Sequence, residues 1–312
     1  MHLSRKIRSF PFTQVSRGSV VTIGAFDGVH LGHQRLLQRV LEEAAARELR
    51  AVVMSFDPTP KEYFYGENPP PRLTSFREKY VVLKKMGLEV YYCPPFNLSM
   101  QNISADSFVR TLLVHTLNVR HLVIGDDFRF ARNREGNIAL LQRAGRALSF
   151  GVERVGSVTV EGERVSSTAI RDALGGGDLA RARRLLGNHY RMTGKVLSAR
   201  RHMTQDRTVL VDMQRRRSPI VGVFAAKVRG ISDNTLNAAA CIGVDDSIGS
   251  GRPFLALQVY GVDQAPGGKY VQVDFIDRIE GPGRCNSISE GVAQMYECED
   301  EVRRVLERHD LT

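Results

Sequence analysis

The stretch SVVTIGAFDGVHLGH, residues 19–33, decides the fold of the first half of this chain. Its first five residues form a short apolar run typical of a buried β-strand, and glycine-containing turn residues follow them. The apolar spacing from Leu36 to Ala44 predicts an amphipathic helix that begins just after His33. The sequence therefore predicts a strand that turns directly into a helix, with His30 and His33 at the junction.

The end of this stretch, His30-x-Gly32-His33, indicates an anion site. A helix N-terminus offers backbone N–H groups without partners, glycine lets a phosphate approach the backbone, and imidazoles donate hydrogen bonds to negative charge. A turn with two surface histidines and no ligand is the alternative interpretation. The preceding Gly24-x-Phe26-Asp27-Gly28 places glycines and an aspartate in the same turn, which weighs against this alternative.

Composition restricts the class of protein. With 312 residues, of which 42% are hydrophobic, the chain can form two moderate cores, and no apolar run is long enough to span a bilayer. The basic N-terminus lacks the apolar segment of a secretion signal. The four cysteines show neither paired nor metal-ligand spacing, so we expect no zinc site, no disulfide framework and a cytoplasmic location.

The formal net charge of +10 is unevenly distributed. Residues 1–187 hold 27 Lys and Arg against 18 Asp and Glu, whereas residues 188–312 hold 17 against 16. Nucleic-acid binding is the obvious competing interpretation of a basic half. The chain has no basic arm, zinc finger or aromatic-rich strand motif that would support it, so we expect no nucleic-acid partner.

Two patterns of secondary structure divide the chain. Strand-like and helix-like segments alternate up to residue 187, which predicts an α/β domain with a parallel sheet. From residue 188, six short strand-like runs follow one another without helices, which predicts a small antiparallel β-barrel. An amphipathic segment near 287–308 predicts a C-terminal helix. We therefore expect one domain at 1–187 and another at 188–312.

Two loops after predicted strands contain candidate ligand-binding residues. SFDPTP, residues 55–60, has Phe56 at a strand end stiffened by Pro58 and Pro60, with Phe64 shortly after, so a flat aromatic ligand could stack there. Ordinary core packing of the two phenylalanines is the alternative. VIGDDFRF, residues 123–130, changes from an apolar strand into a charged loop that contains Asp127. Its position at a strand end favours a binding loop over a merely solvated one.

RVSSTAIRDAL, residues 164–174, is the second strong anion signal. It places the hydroxyls of Ser167 and Thr168 at a helix start and Arg171 about one turn later on the same face, with Arg164 before them. Hydroxyls, amides and guanidinium groups together would hold a phosphate, provided that this loop meets His30 and His33 in space. Helix capping alone is the alternative.

These motifs, in this order and spacing, resemble the adenylyltransferase module of the bacterial bifunctional riboflavin kinase/FAD synthetases, over residues 18 to about 187. The resemblance implies a Rossmann-like nucleotidyltransferase domain that converts FMN and ATP into FAD and pyrophosphate, with Mg²⁺ carried on the ATP and no metal ligand from the chain. It implies His30, His33 and Arg171 as catalytic residues. The implied ATP-binding residues are Gly24, Phe26, Asp27, Gly28, His30, Gly32, His33, Arg164, Ser167, Thr168 and Arg171. The implied flavin-binding residues are Phe56, Pro58, Pro60, Phe64 and Asp127.

The second half resembles the family's riboflavin kinase barrel only in outline. The family's GFPTAN-type motif is missing from the corresponding stretch LSARRHMTQDRTVLVDM, residues 197–213. In LALQVY, residues 255–260, Ala256 or Gln258 stands where the family has its catalytic glutamate, depending on register. Neither side chain is a general base. We therefore expect a degenerate kinase domain that supports the fold, binds flavin weakly or mediates assembly into a homo-oligomer.

Three other functions remain open at this stage. The chain could be a nucleotidyltransferase for another phosphorylated acceptor, or a flavin-binding regulatory protein without catalysis. The kinase half could also work with rearranged ligands. The expected partners are the small molecules ATP and FMN, without a membrane or a nucleic acid.

Overall fold

The computed structural model describes residues 1–5, 16–197, 208–245, 252–262, 267–281 and 285–311. The chain divides into two compact units: the first comprises Met1–Pro70 and Lys79–Val165, and the second comprises Pro71–Glu78 and Ser166–Thr312. Residues 166–187 thus group with the barrel, although the sequence suggested a boundary at residue 187. The assignment of functional modules to 1–187 and 188–312 stays a prediction.

The first unit is built on a six-stranded sheet in which all neighbouring strands are parallel. The strand order is β1-β4-β3-β2-β5-β6. The predicted α/β architecture with a parallel sheet is therefore confirmed. The strands are β1 (His2–Ser4), β2 (Ser19–Ile23), β3 (Arg50–Met54), β4 (Val90–Tyr92), β5 (Val119–Gly125) and β6 (Gly151–Val155).

Helices and a small hairpin complete this unit. A π-type helix, Phe108–Thr116, continues directly from α5, and a hairpin pairs β7 (Thr159–Val160) with β8 (Glu163–Arg164). Helix α3 begins in the second unit and ends in the first. The helices are α1 (Leu31–Ala46), α2 (Pro60–Tyr65), α3 (Phe76–Lys85), α4 (Leu98–Gln101), α5 (Ala105–Ser107) and α6 (Ile138–Leu148), with a 3₁₀ turn at Arg132–Arg134.

The central strand β2 explains why the candidate loops share one edge of the sheet. All five of its side chains are buried, as expected for a parallel strand covered on both faces. It lies between β3 and β5. Because parallel strands end at the same edge, the loops after β2, β3 and β5 emerge together at the carboxyl edge, where α/β sheets bind ligands.

The second unit contains a closed barrel with the strand order β10-β13-β12-β11-β14-β9 and antiparallel neighbours. This confirms the predicted antiparallel barrel. Its strands are β9 (Arg191–Val196), β10 (Thr208–Asp212), β11 (Gly222–Arg229), β12 (Leu236–Asp245), β13 (Arg252–Val259) and β14 (Tyr270–Arg278). Its helices, other than the start of α3, are α7 (Ser167–Gly175), α8 (Leu179–Leu186), α9 (Ile288–Glu297) and α10 (Glu299–Asp310).

Small side chains on the outer face of the barrel let the C-terminal helices pack closely. Ala225, Ala239 and Ala256 form a buried cluster with apolar residues of α9 and α10 such as Met295 and Leu306. The predicted C-terminal helix is therefore present as two consecutive helices, α9 and α10. Among the described residues, every helix is too short or too polar to cross a membrane.

A buried ion pair anchors the segment Pro71–Glu78 within the second unit. The side chains of Arg215 and Glu78 are 1% and 5% exposed, and a guanidinium nitrogen of Arg215 binds the Glu78 carboxylate. The same carboxylate accepts a hydrogen bond from Thr193 Oγ1 at 3.2 Å. Arg215 also donates to the carbonyl of Arg72.

We expect Glu78→Ala to destabilise the second unit by about 3–5 kcal/mol, because it leaves the Arg215 charge buried without its partner. The matched control is Asp106→Asn, which breaks the Arg110–Asp106 pair, whose side chains are 55% and 72% exposed. The control should cost no more than about 1 kcal/mol. Urea unfolding followed by fluorescence and circular dichroism measures both, and equal losses would contradict a structural role for the buried pair.

Candidate active site

The turn between β2 and α1 reverses the backbone tightly. The N–H of Gly24 bonds to the carbonyl of Met54 at 3.1 Å, which holds the start of the turn to the neighbouring strand β3. Phe26, Gly28 and Val29 all have positive φ angles, of 49°, 86° and 41°. A positive φ is unusual for a β-branched residue such as Val29, and this kind of backbone strain is concentrated at functional sites.

The two histidines are held in a fixed geometry at the start of α1. His30 is the N-cap, and its Nδ1 accepts a hydrogen bond from the backbone N–H of His33 at 3.3 Å. The two imidazoles stack with centroids 3.6 Å apart and an interplanar angle of 16°. Phe26 is fully buried and packs against His33 at 5.1 Å between ring centroids. The imidazole pair is therefore preorganised.

Gly32 lies where a side chain would crowd this pair. A Cβ added to Gly32 would lie 3.3 Å from the ring of His30 and 3.8 Å from the carbonyl oxygen of Val165. The glycine thus permits the close approach of the ring to the helix start, in addition to the phosphate access expected from the sequence.

The surroundings of His33 favour its neutral form. Burial, and then the nearby His30 and Lys79, lower the pKa of His33 well below its ordinary value. Its Nδ1 is buried and has no hydrogen-bond partner among the described residues. A neutral imidazole has one donor and one acceptor nitrogen, so His33 can donate to a phosphate without carrying charge beforehand.

Lys79 is a functional candidate that the sequence motifs did not reveal. It is 6% exposed, and its Nζ donates to the carbonyl of Ala25 in the β2–α1 turn at 2.5 Å. A lysine on an amphipathic helix usually lies on the solvent-exposed face. Lys79 is part of no recognised motif, so the sequence pattern did not indicate a functional role for it. Its burial next to the imidazole pair makes the turn electropositive, which suits the binding of a phosphate.

An aromatic cluster is formed by residues of the loops after β3 and β4 and of helix α2. Phe96 contacts Phe56, Tyr63 and Phe64 edge-on, at centroid distances of 5.5, 5.2 and 5.7 Å. Phe56 packs against the core of the unit, whereas Phe64 is 61% exposed. Phe56 thus fits the core-packing alternative in part, and Phe64 presents aromatic surface to solvent. Sequence analysis missed Phe96 and Tyr63, although Phe96 lies shortly after the strand-like run LEVYY, residues 88–92.

The prolines of SFDPTP shape the start of α2. The Asp57–Pro58 peptide bond is cis, and Pro60 occupies the first turn of the helix. Thr59 caps the helix, and Glu62 closes a capping box with it. Pro58 and Pro60 therefore fix the backbone that carries the aromatic cluster.

Two residues that we expected to bind different ligands form an ion pair with each other. Arg164 donates to the Asp127 carboxylate at 2.9 Å, and both side chains are more than half exposed. The resemblance assigned Arg164 to ATP and Asp127 to the flavin. Their ion pair lies in solvent, so it is weak and a ligand can displace it.

The second anion motif belongs to the second unit from Ser166 onward, whereas Arg164 belongs to the first unit. Ser166 caps α7 through a hydrogen bond from the N–H of Ala169 to its Oγ at 3.1 Å, so Ser167 and Thr168 are the first residues of the helix. The guanidinium group of Arg171 donates to the carbonyls of Pro71 at 2.8 Å and Ser167 at 3.2 Å. Ser167, Thr168 and Arg171 are thus brought together at one helix end.

One group of potential metal ligands occurs among the described residues, and it is distinct from these motifs. Ligand atoms of Glu43, His121 and Glu153 lie within 4.8 Å of one another. Arg39 forms ion pairs with both carboxylates, and Arg47 with Glu43. Because arginines already neutralise the two glutamates, this group is a structural ion-pair network.

Comparisons with known proteins agree with this geometry. The FAD synthetase family model matches residues 12–169, a range that contains the imidazole pair, the aromatic cluster and the Ser-Ser-Thr helix start. The chain belongs to the FAD synthetase family. This confirms the family resemblance seen in the sequence.

Curated proteins and solved structures are similar to this chain over most of its length. A Haemophilus influenzae protein named bifunctional riboflavin kinase/FMN adenylyltransferase is 37% identical to this chain, over 85% of this chain and 87% of that protein. The protein of the same name from Escherichia coli K12 is 37% identical, over 89% of this chain and 90% of its own length. The one from Pseudomonas fluorescens is 39% identical, over 78% of each chain. A structure described as a macrolide-efflux protein from Streptococcus pneumoniae is 26% identical, with a TM-score of 0.76 over 97% of this chain and 98% of that chain.

We expect Lys79→Met to raise the pKa of His33, because it removes one of the positive charges that disfavour the imidazolium form. The pKa should remain below its ordinary value, since burial is the larger cause. Imidazole NMR resonances recorded as a function of pH measure the change. Lys84→Met, an exposed lysine on the same helix, is the control and should leave His33 unchanged. The same His33 titration in all three proteins would contradict the proximity of Lys79.

Proposed function

We propose that this member of the FAD synthetase family is an FMN adenylyltransferase, which transfers AMP from ATP to FMN and releases pyrophosphate. The observation that carries the proposal is the stacked, capped imidazole pair of His30 and His33 at the start of α1. The curated relatives named above, which include this activity in their names, support the choice of FMN as the acceptor.

The proposed reaction is a direct displacement. A phosphate oxygen of FMN attacks the α-phosphorus of ATP in line, a new P–O bond forms, and the bond to the β-phosphate breaks as pyrophosphate leaves. No covalent nucleophile of the protein is required. Orientation of two bound substrates is worth about 7–11 kcal/mol, whereas a helix N-terminus supplies only about 0.3–1 kcal/mol, so positioning supplies most of the rate enhancement.

The imidazole pair would stabilise charge on the reacting phosphate. Because Nδ1 of His30 accepts the N–H of His33, the proton of neutral His30 lies on Nε2, which is the atom able to donate to a ligand. Neutral His33 adds a second donor, and the buried Lys79 adds positive charge nearby. Gly24, Phe26, Asp27, Gly28 and Gly32 would shape the turn around the phosphates.

We propose further phosphate contacts from Arg164 and from the start of α7. Ser167 and Thr168 offer amides and hydroxyls in the first turn of that helix, and Arg171 is held beside them by backbone carbonyls. Mg²⁺ would arrive with the ATP phosphates, and we assign no side chain to it. These roles rest on the family resemblance and on the local geometry of each motif.

The flavin would stack on the aromatic cluster. Phe64 presents an exposed ring, and Phe56 and Phe96 support it from the sheet side, while Pro58 and Pro60 hold the loop in place. Asp127 would bind a polar edge of the flavin after release from Arg164. We place the reaction in the cytoplasm, since all four cysteines carry free thiols and suit a reducing compartment.

We also propose that the second unit does not phosphorylate riboflavin. Ala256 and Gln258, the two positions that could correspond to the family's glutamate, are 0% and 1% exposed. The Nε2 of Gln258 donates to the Glu299 carboxylate at 2.9 Å. Arg303 binds the same carboxylate at 2.6 Å. An amide cannot act as a general base. Among the described residues, the only carboxylate that is hydrogen-bonded to Gln258 is that of Glu299, and Arg303 already binds it. Residues 198–207, part of the stretch that lacks the family's GFPTAN-type motif, lie outside the described residues.

We expect His33→Ala to lower the turnover of FAD formation by about 10²–10³-fold, since it removes a hydrogen-bond donor that acts on developing phosphate charge. Steady-state kinetics with FMN, ATP and Mg²⁺ measure the effect. His115→Ala, at an exposed histidine on the π-type helix, is the control and should keep full turnover. Near-complete activity in the His33 variant would show that this imidazole has no catalytic role.

We expect the purified protein to form FAD from FMN but not from riboflavin. The protein is incubated with ATP and Mg²⁺ plus either flavin, and the products are separated by chromatography. The Escherichia coli relative, assayed in parallel, serves as the positive control for both steps. Formation of FMN from riboflavin would refute the loss of the kinase and leave the adenylyltransferase proposal standing.

A further inference from the structure

A cavity of about 660 Å³ lies within the second unit, between α8, β14 and α10. None of its lining residues belongs to the motifs assigned to ATP or FMN. Three arginines and two histidines line it: Arg183 and Arg184 on α8, Arg308 and His309 on α10, and His189 between α8 and β9. Its size falls in the range of about 300–1,000 Å³ that small-molecule sites occupy.

The charge of the cavity is positive. Three arginines face one carboxylate, Asp277, which leaves a formal charge of 3 − 1 = +2 with neutral histidines. Among the described residues, neither Arg183 nor Arg308 forms an ion pair. A guanidinium group without a carboxylate partner at a cavity wall is a ready donor to a phosphate, which it can bind with two parallel hydrogen bonds.

The two histidines share this positive field. Their Nε2 atoms lie 3.2 Å apart, so one imidazole donates and the other accepts. Burial and then Arg183 lower the pKa of His189, and burial, Lys227 and Arg183 lower that of His309. Asp274 and Asp310 oppose these effects without reversing them. An anion in the cavity would balance the excess charge and allow the pair to take up a proton.

We propose that this cavity binds a small organic phosphate. The phosphate would lie against Arg183, Arg308 and the histidine pair, and the organic part against the apolar wall formed by Leu179, Ile276 and Val305. The arginines supply charge and hydrogen bonds, and the apolar wall distinguishes an organic phosphate from inorganic phosphate.

The test uses the full chain, with phenyl phosphate and inorganic phosphate as probes. Imidazole NMR resonances of His189 and His309 report binding locally, so occupancy at the β2–α1 turn is not confused with it. We expect both probes to raise the pKa of the pair saturably, and phenyl phosphate to bind more tightly. Arg183→Gln should weaken phenyl phosphate about tenfold, equivalent to about 1.4 kcal/mol.

Arg308→Gln is a second variant with the same expectation, and Arg304→Gln on α10, outside the cavity, is the matched control that should bind as the wild type does. Three results would overturn the proposal: no change of either histidine on addition of the probes, equal binding in all the variants, or no preference for phenyl phosphate over inorganic phosphate. None of these results bears on FAD formation, so this inference stands or fails independently of the proposed reaction.

Discussion

The hydrogen bond from the N–H of His33 to Nδ1 of His30 is the contact on which the candidate active site depends. It makes His30 the N-cap of α1, because it satisfies a backbone N–H group that has no partner within the helix. It also fixes which nitrogen of His30 carries the proton and holds the ring parallel to that of His33. One contact therefore starts the helix and orients two donors, so the local fold and the proposed chemistry use the same atoms.

The surroundings of the two histidines favour the binding of an anion. Phe26 and the buried ring edges remove water from His33, and Lys79 adds a nearby positive charge. Both effects lower the pKa of His33 and so disfavour its imidazolium form, while Lys79 keeps the turn electropositive. Such a site is preorganised for a phosphate, because its donors need little rearrangement when negative charge arrives.

The second unit forms a closed barrel whose strand β13 carries Ala256 and Gln258, neither of which is a carboxylate. Alanines on its outer face still accommodate α9 and α10, and Gln258 lies beneath these helices in contact with Glu299. The barrel fold depends on strand pairing and small side chains, neither of which requires a catalytic carboxylate. Relatives named as bifunctional and a chain for which we propose that kinase activity is lost can therefore share one fold.

The sequence by itself determined the parallel sheet, the barrel and the turn at residues 24–33, because apolar periodicity and glycine placement act over a few residues. It also located Phe56 and Phe64, since their loop follows its strand directly. Only the tertiary structure decided that Lys79 reaches Ala25 and that Phe96 joins the aromatic cluster, since these contacts join segments tens of residues apart. It likewise grouped α7 and α8 with the barrel. The surface against which a helix face is buried can be distant in the sequence, and the local spacing of apolar residues does not identify that surface.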